Sequence, residues 1–177
     1  MSERFWTPAN TISLSRIPMA LAFVFAEGTP LRLGIIVVAG LSDALDGWVA
    51  RRHPPSRWGA LIDPVADRSF AIIAIGVLAW EGVLDPWMVA LLLSRDLITA
   101  IGLFISRRVP TTRTLTFAAR PLGKVVTLFQ FLALVVAVGR PTWVLPAVLV
   151  AGSLSVLAVA DYSWFLISSY RARRTAP

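Results

Sequence analysis

Residues 34–80, GIIVVAGLSDALDGWVARRHPPSRWGALIDPVADRSFAIIAIGVLAW, decide the fold because two apolar runs enclose a carboxylate-rich centre. The runs at both ends of this stretch contain no charged side chain. Placing a charged side chain in the hydrocarbon region costs at least a few kcal/mol, which makes such residues functional candidates. The candidates in the centre are Asp43, Asp46, Asp63 and Asp67.

The composition of the chain indicates an integral membrane protein. Hydrophobic residues make up 56% of the 177 residues and charged residues only 15%, whereas soluble domains have about 25% charged residues. The mean hydropathy is +0.72. There is no cysteine, which excludes disulfides and thiolate metal sites, and the single His53 provides no imidazole cluster. A metal ion would therefore be bound by oxygen.

Six apolar runs predict an all-α membrane domain of six transmembrane helices, with residues 1–177 forming one domain. The first run is expected to be a permanent helix, since the preceding residues lack the features of a removable signal peptide. Arg16, near its start, is expected to reach the membrane interface or a polar cavity. The runs cover residues 11–26, 33–50, 59–80, 86–106, 122–139 and 143–169.

Basic residues predict the orientation of these helices, because arginine and lysine beside membrane spans are retained on the cytoplasmic side. They concentrate after the second, fourth and sixth runs, which favours cytoplasmic termini. Much of the net charge of +7 therefore lies on one face, where it is expected to attract anionic lipid rather than nucleic acid. These residues are Arg51, Arg52, Arg57, Arg107, Arg108, Arg113, Arg120, Lys124, Arg171, Arg173 and Arg174.

The spacing of the four aspartates predicts a metal site near the cytoplasmic ends of two helices. Asp43 and Asp46 are three residues apart and Asp63 and Asp67 are four apart, so each pair occupies one helix face. Four converging carboxylates repel one another unless a cation neutralises them, and hard oxygen ligands suit Mg²⁺, Mn²⁺ or Ca²⁺. Two metal ions sharing carboxylates are typical of phosphoryl chemistry.

Small residues beside the aspartates predict room for a diphosphate. Gly47 and Ala50 lie one and two turns beyond Asp43 and open a groove on the same face. Arg51 follows, and its planar guanidinium suits a diphosphate.

The segments DALDGWVAR and GALIDPVAD resemble the signature of the CDP-alcohol phosphatidyltransferases, D-x2-D-G-x2-A-R-x8-G-x3-D-x3-D. All the named residue types are present, and PANTISLSRIP at residues 8–18 is similar to the stretch that begins these enzymes. The sequence departs from the signature in one place: seven residues instead of eight separate Arg51 from Gly59. Pro54 and Pro55 mark this segment as a loop, where deletions are tolerated.

The resemblance implies that an alcohol attacks the β-phosphorus of CDP-diacylglycerol and that CMP leaves. It also implies a homodimer in the membrane, expected to be a bacterial plasma membrane. By position, Asp67 is the base that accepts the hydroxyl proton. The implied ligands of two Mg²⁺ or Mn²⁺ ions are Asp43, Asp46, Asp63 and Asp67. The implied CDP-binding residues are Asp43, Gly47, Ala50, Arg51 and Gly59.

The acceptor alcohol is expected to be phosphorylated, because basic residues accompany the later helices. Glycerol 3-phosphate is favoured, since phosphatidylglycerophosphate synthases resemble RPLGKVVT at G-K-x2-T. Phosphatidylglycerol is the alternative, since cardiolipin synthases resemble the chain at S-R-D and VPTTRTL. Inositol phosphate is a third acceptor. The candidate acceptor-binding residues are Arg95, Arg120 and Lys124.

Two non-enzymatic classes of protein are alternatives to this interpretation. An ion-coupled transporter also places aspartates within helices, but it does not need the glycine, alanine and arginine between the two pairs. A lipid-binding scaffold would be indifferent to Asp-to-Asn substitution.

Overall fold

The chain forms six α-helices in the parts that the structure describes, as predicted. The computed structural model describes the backbone of residues 8–50, 59–108 and 121–174, and within these the side chains of residues 14–42, 45, 68–101 and 122–164. The helices begin and end close to the predicted apolar runs. They are α1 (Pro8–Phe25), α2 (Thr29–Ala50), α3 (Gly59–Trp80), α4 (Pro86–Arg108), α5 (Pro121–Gly139) and α6 (Val144–Arg174).

The last helix is longer than its apolar run. Helix α6 has 31 residues and includes Arg171, Arg173 and Arg174, which the sequence suggested as a tail beyond the helix. A 3-10 turn, Pro141–Trp143, precedes it. Arginine favours helix formation, which allows a helix to extend beyond its apolar part.

Three short connections reverse the chain at one end of the bundle. Gly28, between α1 and α2, has φ +86°, and Gly82, between α3 and α4, has φ +75°. These are left-handed conformations that glycine adopts readily. The connection from α5 to α6 lies at the same end, because a Cβ on Gly139 would be 3.7 Å from the side chain of Leu33 near the start of α2.

Arg32 holds this end of the bundle together. Its guanidinium donates two hydrogen bonds to the Glu81 carboxylate, and its Nε donates to the carbonyl oxygen of Ala26, 3.0 Å away. The guanidinium carbon also lies 5.4 Å from the centre of the Phe23 ring. The hydrogen bonds from Arg32 lower the pKa of Glu81. The stability gained from this pair is therefore present at neutral pH and is lost as the pH falls through the pKa of Glu81 in the folded state.

An aromatic stack joins three helices in the apolar core. Phe70 of α3 packs edge-on against Phe23 of α1, with ring centres 6.0 Å apart, and stacks on Phe131 of α5 at 5.8 Å. Phe131 in turn lies over Gly40 of α2, where an added Cβ would be 3.4 Å from the ring. The glycine therefore allows α2 and α5 to approach closely through one side chain.

Small residues set the distances between the other helices. Ala20, Ala39, Ala74 and Ala151 are completely buried. Gly152 of α6 packs so closely on Leu91 of α4 that an added Cβ would overlap the leucine side chain. Small residues at such contacts are typical of helix packing in membranes.

Two helical segments in the described part of the chain are long and apolar enough to cross a membrane. They are Leu122–Gly139 and Pro141–Trp164, with mean hydropathies of 2.0 and 2.2. Shorter apolar stretches occur at Leu14–Phe25, Thr29–Ser42 and Arg68–Trp80. Large apolar side chains such as Leu21, Val38 and Leu157 are exposed on the outside of the bundle. The six helices are confirmed, whereas six membrane crossings stay a prediction, in part because ionisable residues interrupt the earlier helices.

The close contact between α4 and α6 predicts that Gly152→Ala destabilises the fold. The new methyl group must displace Leu91, and overpacking of this kind typically costs about 1–3 kcal/mol. Gly76→Ala is the matched control, because no atom lies within 4 Å of the Cβ position at that helical glycine. Thermal unfolding in detergent should show a lower Tm for Gly152→Ala only, and adding Leu91→Ala should recover part of the loss. Equal Tm values for the two glycine variants would contradict the packing argument.

Candidate active site

The four aspartates lie on two helices that flank the same connection. Asp43 and Asp46 are in α2, which ends at Ala50, and Asp63 and Asp67 are in α3, which begins at Gly59. Both segments are helical, so each pair is separated by about one turn, as the spacing predicted. The backbone thus places both pairs near the helix ends opposite the three short connections.

The predicted metal site stays a prediction, because the side chains of these aspartates lie outside the described set. Among the side chains that the structure does describe, no group of three histidines, aspartates or glutamates is arranged to hold a metal ion. The described structure therefore neither places nor excludes the ions.

The predicted CDP-binding residues are distributed around the same two helix ends. Gly47 and Ala50 belong to the last turns of α2, and Gly59 is the first residue of α3. Arg51 lies outside the described residues, as does the acceptor candidate Arg120.

The other two acceptor candidates occupy different environments. Lys124, in the first turn of α5, is exposed, whereas Arg95 in the middle of α4 is 9% exposed. A Cβ on Gly123, beside Lys124, would be 2.6 Å from Nη2 of Arg95. The structure therefore brings Arg95 to the first turn of α5, next to the backbone of Lys124.

Arg95 belongs to a buried polar cluster centred on Asp96. Nη1 of Arg95 lies 3.3 Å from Oδ1 of Asp96 and 3.3 Å from the Thr127 hydroxyl. Oδ2 of Asp96 accepts a hydrogen bond of 3.2 Å from the amide of Gln130, which also donates to the carbonyl oxygen of Leu92. We call these residues, together with Arg68 and Thr99, the Asp96 cluster.

Arg68 and Thr99 complete the Asp96 cluster and connect it to α3. Nη1 of Arg68 lies 2.6 Å from the Thr99 hydroxyl and 3.2 Å from the carbonyl oxygen of Asp96. It is also 3.7 Å from Oδ1 of Asp96. Because Arg68 directly follows Asp67 in the chain, the cluster connects the α3 backbone beside the predicted base to α4 and α5.

The sequence singled out the segments S-R-D and G-K-x2-T, which contain Asp96 and Thr127, but it indicated neither Arg68 nor Gln130 as part of a site. A glutamine inside the apolar segment LFQFLAL of α5, residues 128–134, was a usable signal, because an amide between apolar helices needs hydrogen-bond partners. Its partners on α4 could not be identified without the packing of the helices. Gln130 is only 3% exposed.

Arg16 of α1 is completely buried. Of the two expectations for Arg16, its burial argues against the membrane interface and leaves a polar cavity within the bundle. Helix α1 packs mainly on α3, so that Arg16 is enclosed by protein instead of anchoring the helix at the headgroups.

Comparison with known proteins decides the class of enzyme. Residues 6–163 match the model of the family described as CDP-alcohol phosphatidyltransferase. The chain belongs to this family. The match includes both aspartate pairs and the whole Asp96 cluster, and it confirms the family predicted from the signature. Members of this family are integral membrane enzymes of phospholipid synthesis.

Similar CDP-alcohol phosphatidyltransferases bear two different names. Human cardiolipin synthase (CMP-forming) is 29% identical over 159 residues, 80% of this chain and 53% of that protein. A putative cardiolipin synthase of Mycobacterium tuberculosis is 35% identical over 103 residues, 55% of this chain and 49% of that protein. The chain thus spans about half the length of these two relatives. A CDP-diacylglycerol–glycerol-3-phosphate 3-phosphatidyltransferase of Aquifex aeolicus is 33% identical over 132 residues, 71% of each chain.

The Asp96 cluster predicts a large loss of stability for Asp96→Ala. Removing the carboxylate leaves two arginines and an amide facing a gap, and removing one partner of a buried ion pair typically costs about 3–5 kcal/mol. Thr99→Val is a control that removes one neutral hydroxyl. The Tm of Asp96→Ala should fall well below that of Thr99→Val. Similar Tm values would show that Asp96 does not organise the cluster.

Proposed function

We propose that this protein transfers a phosphatidyl group from CDP-diacylglycerol to an alcohol and releases CMP. The observation that carries this proposal is the family match over residues 6–163, which includes the complete aspartate signature on α2 and α3. An ion-coupled transporter is the non-enzymatic alternative. It is disfavoured because a transporter does not require the glycine, alanine and arginine positions of the signature.

The four aspartate carboxylates are suitable ligands for divalent metal ions. Asp43, Asp46, Asp63 and Asp67 offer only carboxylate oxygens, at helical spacings of three and four residues on neighbouring helix ends. Mg²⁺ and Mn²⁺ prefer such ligands. Bound there, two ions would neutralise the diphosphate of the donor. The ions are part of the proposal, like the roles of the individual aspartates.

The residues of the chain have separate tasks in the proposed reaction. Gly47, Ala50 and Gly59 leave room for the CDP moiety, and Arg51 binds its diphosphate. Asp67 accepts the proton of the acceptor hydroxyl. The hydroxyl oxygen forms a bond to the β-phosphorus as the bond between that phosphorus and the CMP oxygen breaks. The proton thus passes to Asp67, and the electron pair of the broken bond leaves with CMP.

We propose phosphatidylglycerol as the first acceptor and glycerol 3-phosphate as the second. The sequence alone favoured glycerol 3-phosphate, and the Aquifex relative supports it. The human and mycobacterial relatives support phosphatidylglycerol, as does the Ser94-Arg95-Asp96 segment, which resembles the S-R-D of cardiolipin synthases. Both compounds present a glycerol hydroxyl near a phosphate, which suits Arg95, Arg120 and Lys124.

The same proposal places the protein in a bilayer with the aspartate pairs on the cytoplasmic side. The ends of α4 and α6 that carry arginine lie opposite the three short connections, and Arg51 and Arg52 directly follow the same end of α2 in the sequence. Because arginine beside membrane spans is retained in the cytoplasm, both termini would lie on the cytoplasmic side. The proposed membrane is a bacterial plasma membrane. A homodimer follows from the resemblance to the family.

An acceptor panel tests the proposed function. Purified protein with CDP-diacylglycerol is expected to release CMP with phosphatidylglycerol, and activity should disappear in EDTA because the unneutralised carboxylates repel the diphosphate. CMP release and lipid products are measured with phosphatidylglycerol, glycerol 3-phosphate, inositol phosphate and serine. Product formed only with glycerol 3-phosphate would show that glycerol 3-phosphate, and not phosphatidylglycerol, is the acceptor. No CMP with any alcohol, or full turnover in chelator, would contradict the proposal.

Asp67 and Asp43 should respond differently to substitution by asparagine. Asp67→Asn retains an oxygen but cannot take the hydroxyl proton, so kcat should fall roughly 10²- to 10⁴-fold while donor binding largely survives. Asp43→Asn removes negative charge where metal and diphosphate bind, so metal-dependent donor affinity should weaken. Both variants are compared by kcat and donor affinity across Mg²⁺ concentrations. If excess Mg²⁺ restores Asp67→Asn to wild-type turnover, Asp67 is a ligand and the base lies elsewhere.

A further inference from the structure

Arg95 has one guanidinium nitrogen that faces the first turn of α5. Both of its hydrogen bonds, to Asp96 and to Thr127, are made by Nη1. Its Nε is buried without a hydrogen-bond partner among the described residues. Nη2 points toward Gly123, one turn before Thr127, and lies 2.6 Å from the position that a glycine Cβ would take. Only glycine lets the guanidinium nitrogen pack this closely against the helix backbone.

The hydroxyl of Tyr162 reaches the same point from α6. It lies 3.4 Å from the Cβ position of Gly123. The tyrosine is half-buried, and its hydroxyl makes no hydrogen bond within the described part of the chain. Helices α4, α5 and α6 thus bring a guanidinium nitrogen and a phenol hydroxyl to one point over a glycine. Both groups donate hydrogen bonds.

The surroundings of this point favour an anion. Gly123 is in the first turn of α5, where the helix dipole attracts negative charge, and Arg95 brings a positive charge that is nine-tenths buried. The exposed Lys124 follows in the same turn. The one described carboxylate that contacts Arg95 is Asp96, and it is bound through Nη1, so Nη2 stays available to a second anion.

We propose that Tyr162 is a specificity-determining residue, whose hydroxyl and Nη2 of Arg95 together bind the phosphate of the acceptor alcohol over Gly123. This inference rests on the proposed transfer to a phosphorylated acceptor. Gly123 lets Arg95 lie against the first turn of α5, Arg95 provides the charge, and Tyr162 provides the hydrogen bond that distinguishes an acceptor with phosphate from one without. The phosphate of phosphatidylglycerol and that of glycerol 3-phosphate share this chemistry.

Tyr162→Phe tests the inference because it removes only the hydroxyl. Loss of a hydrogen bond to a charged group should raise the acceptor KM roughly tenfold and leave the CDP-diacylglycerol KM unchanged. Tyr170→Phe, the same chemical change eight residues later in the chain, is the matched control and should leave both constants unchanged. An equal rise in donor and acceptor KM, or no rise in the acceptor KM, would overturn the assignment.

A binding measurement separates this inference from the proposed reaction. The Tm of the protein in phosphatidylcholine nanodiscs is compared with and without glycerol 3-phosphate, and with and without phosphatidylglycerol among the lipids. At least one compound should raise the wild-type Tm, and the rise should be smaller for Tyr162→Phe than for Tyr170→Phe. That result without CMP release would contradict the transfer reaction and retain the phosphate site. Turnover with an acceptor KM that does not change in Tyr162→Phe would support the transfer reaction and overturn the role of Tyr162. The absence of a Tm rise with either compound would overturn the phosphate site.

Discussion

The Asp96 carboxylate needs partners, because it lies between apolar helices where an isolated charge is unfavourable. Its partners come from α4 itself and from two other helices: Arg95, Arg68 of α3 and Gln130 of α5. The positions of these helices around the cluster are consequently linked. Arg68 extends the linkage to Asp67, its neighbour in sequence, so a structural ion pair and the residue proposed for proton transfer share one helical turn.

The bundle divides into two halves with different sources of stability. At the end with the short connections, aromatic rings, alanines and the Arg32–Glu81 pair hold the helices together. Toward the other end, the contacts among α3, α4 and α5 become polar and hydrogen-bonded. Buried apolar packing does not depend on what the polar half binds, so the apolar half can hold the helices in place while the polar half binds the proposed substrates.

Much of the fold could be predicted from the sequence, because hydropathy alone separates the helices and proline or glycine separates their ends. The position of each aspartate pair on a single helix was also predictable from its spacing, whereas the convergence of the two pairs stays a prediction. The Asp96 cluster was not predictable. Its parts on α3, α4 and α5 are about 30 residues apart along the chain, as Arg68 and Thr99 are, and a pattern within one helix does not tell which neighbouring helix it meets.

Gln130 and Phe131 are consecutive in α5, yet one belongs to the polar cluster and the other to the aromatic stack. Successive residues differ by about 100° around a helix axis, so the two contacts together fix the rotational phase of α5. Gly123 lies two turns earlier and is tied to the same phase. Inserting or deleting a single residue between Gly123 and Gln130 would turn the glycine away from Arg95. Homologous chains can thus vary in the length of their connections, while this part of α5 is constrained to a constant number of residues.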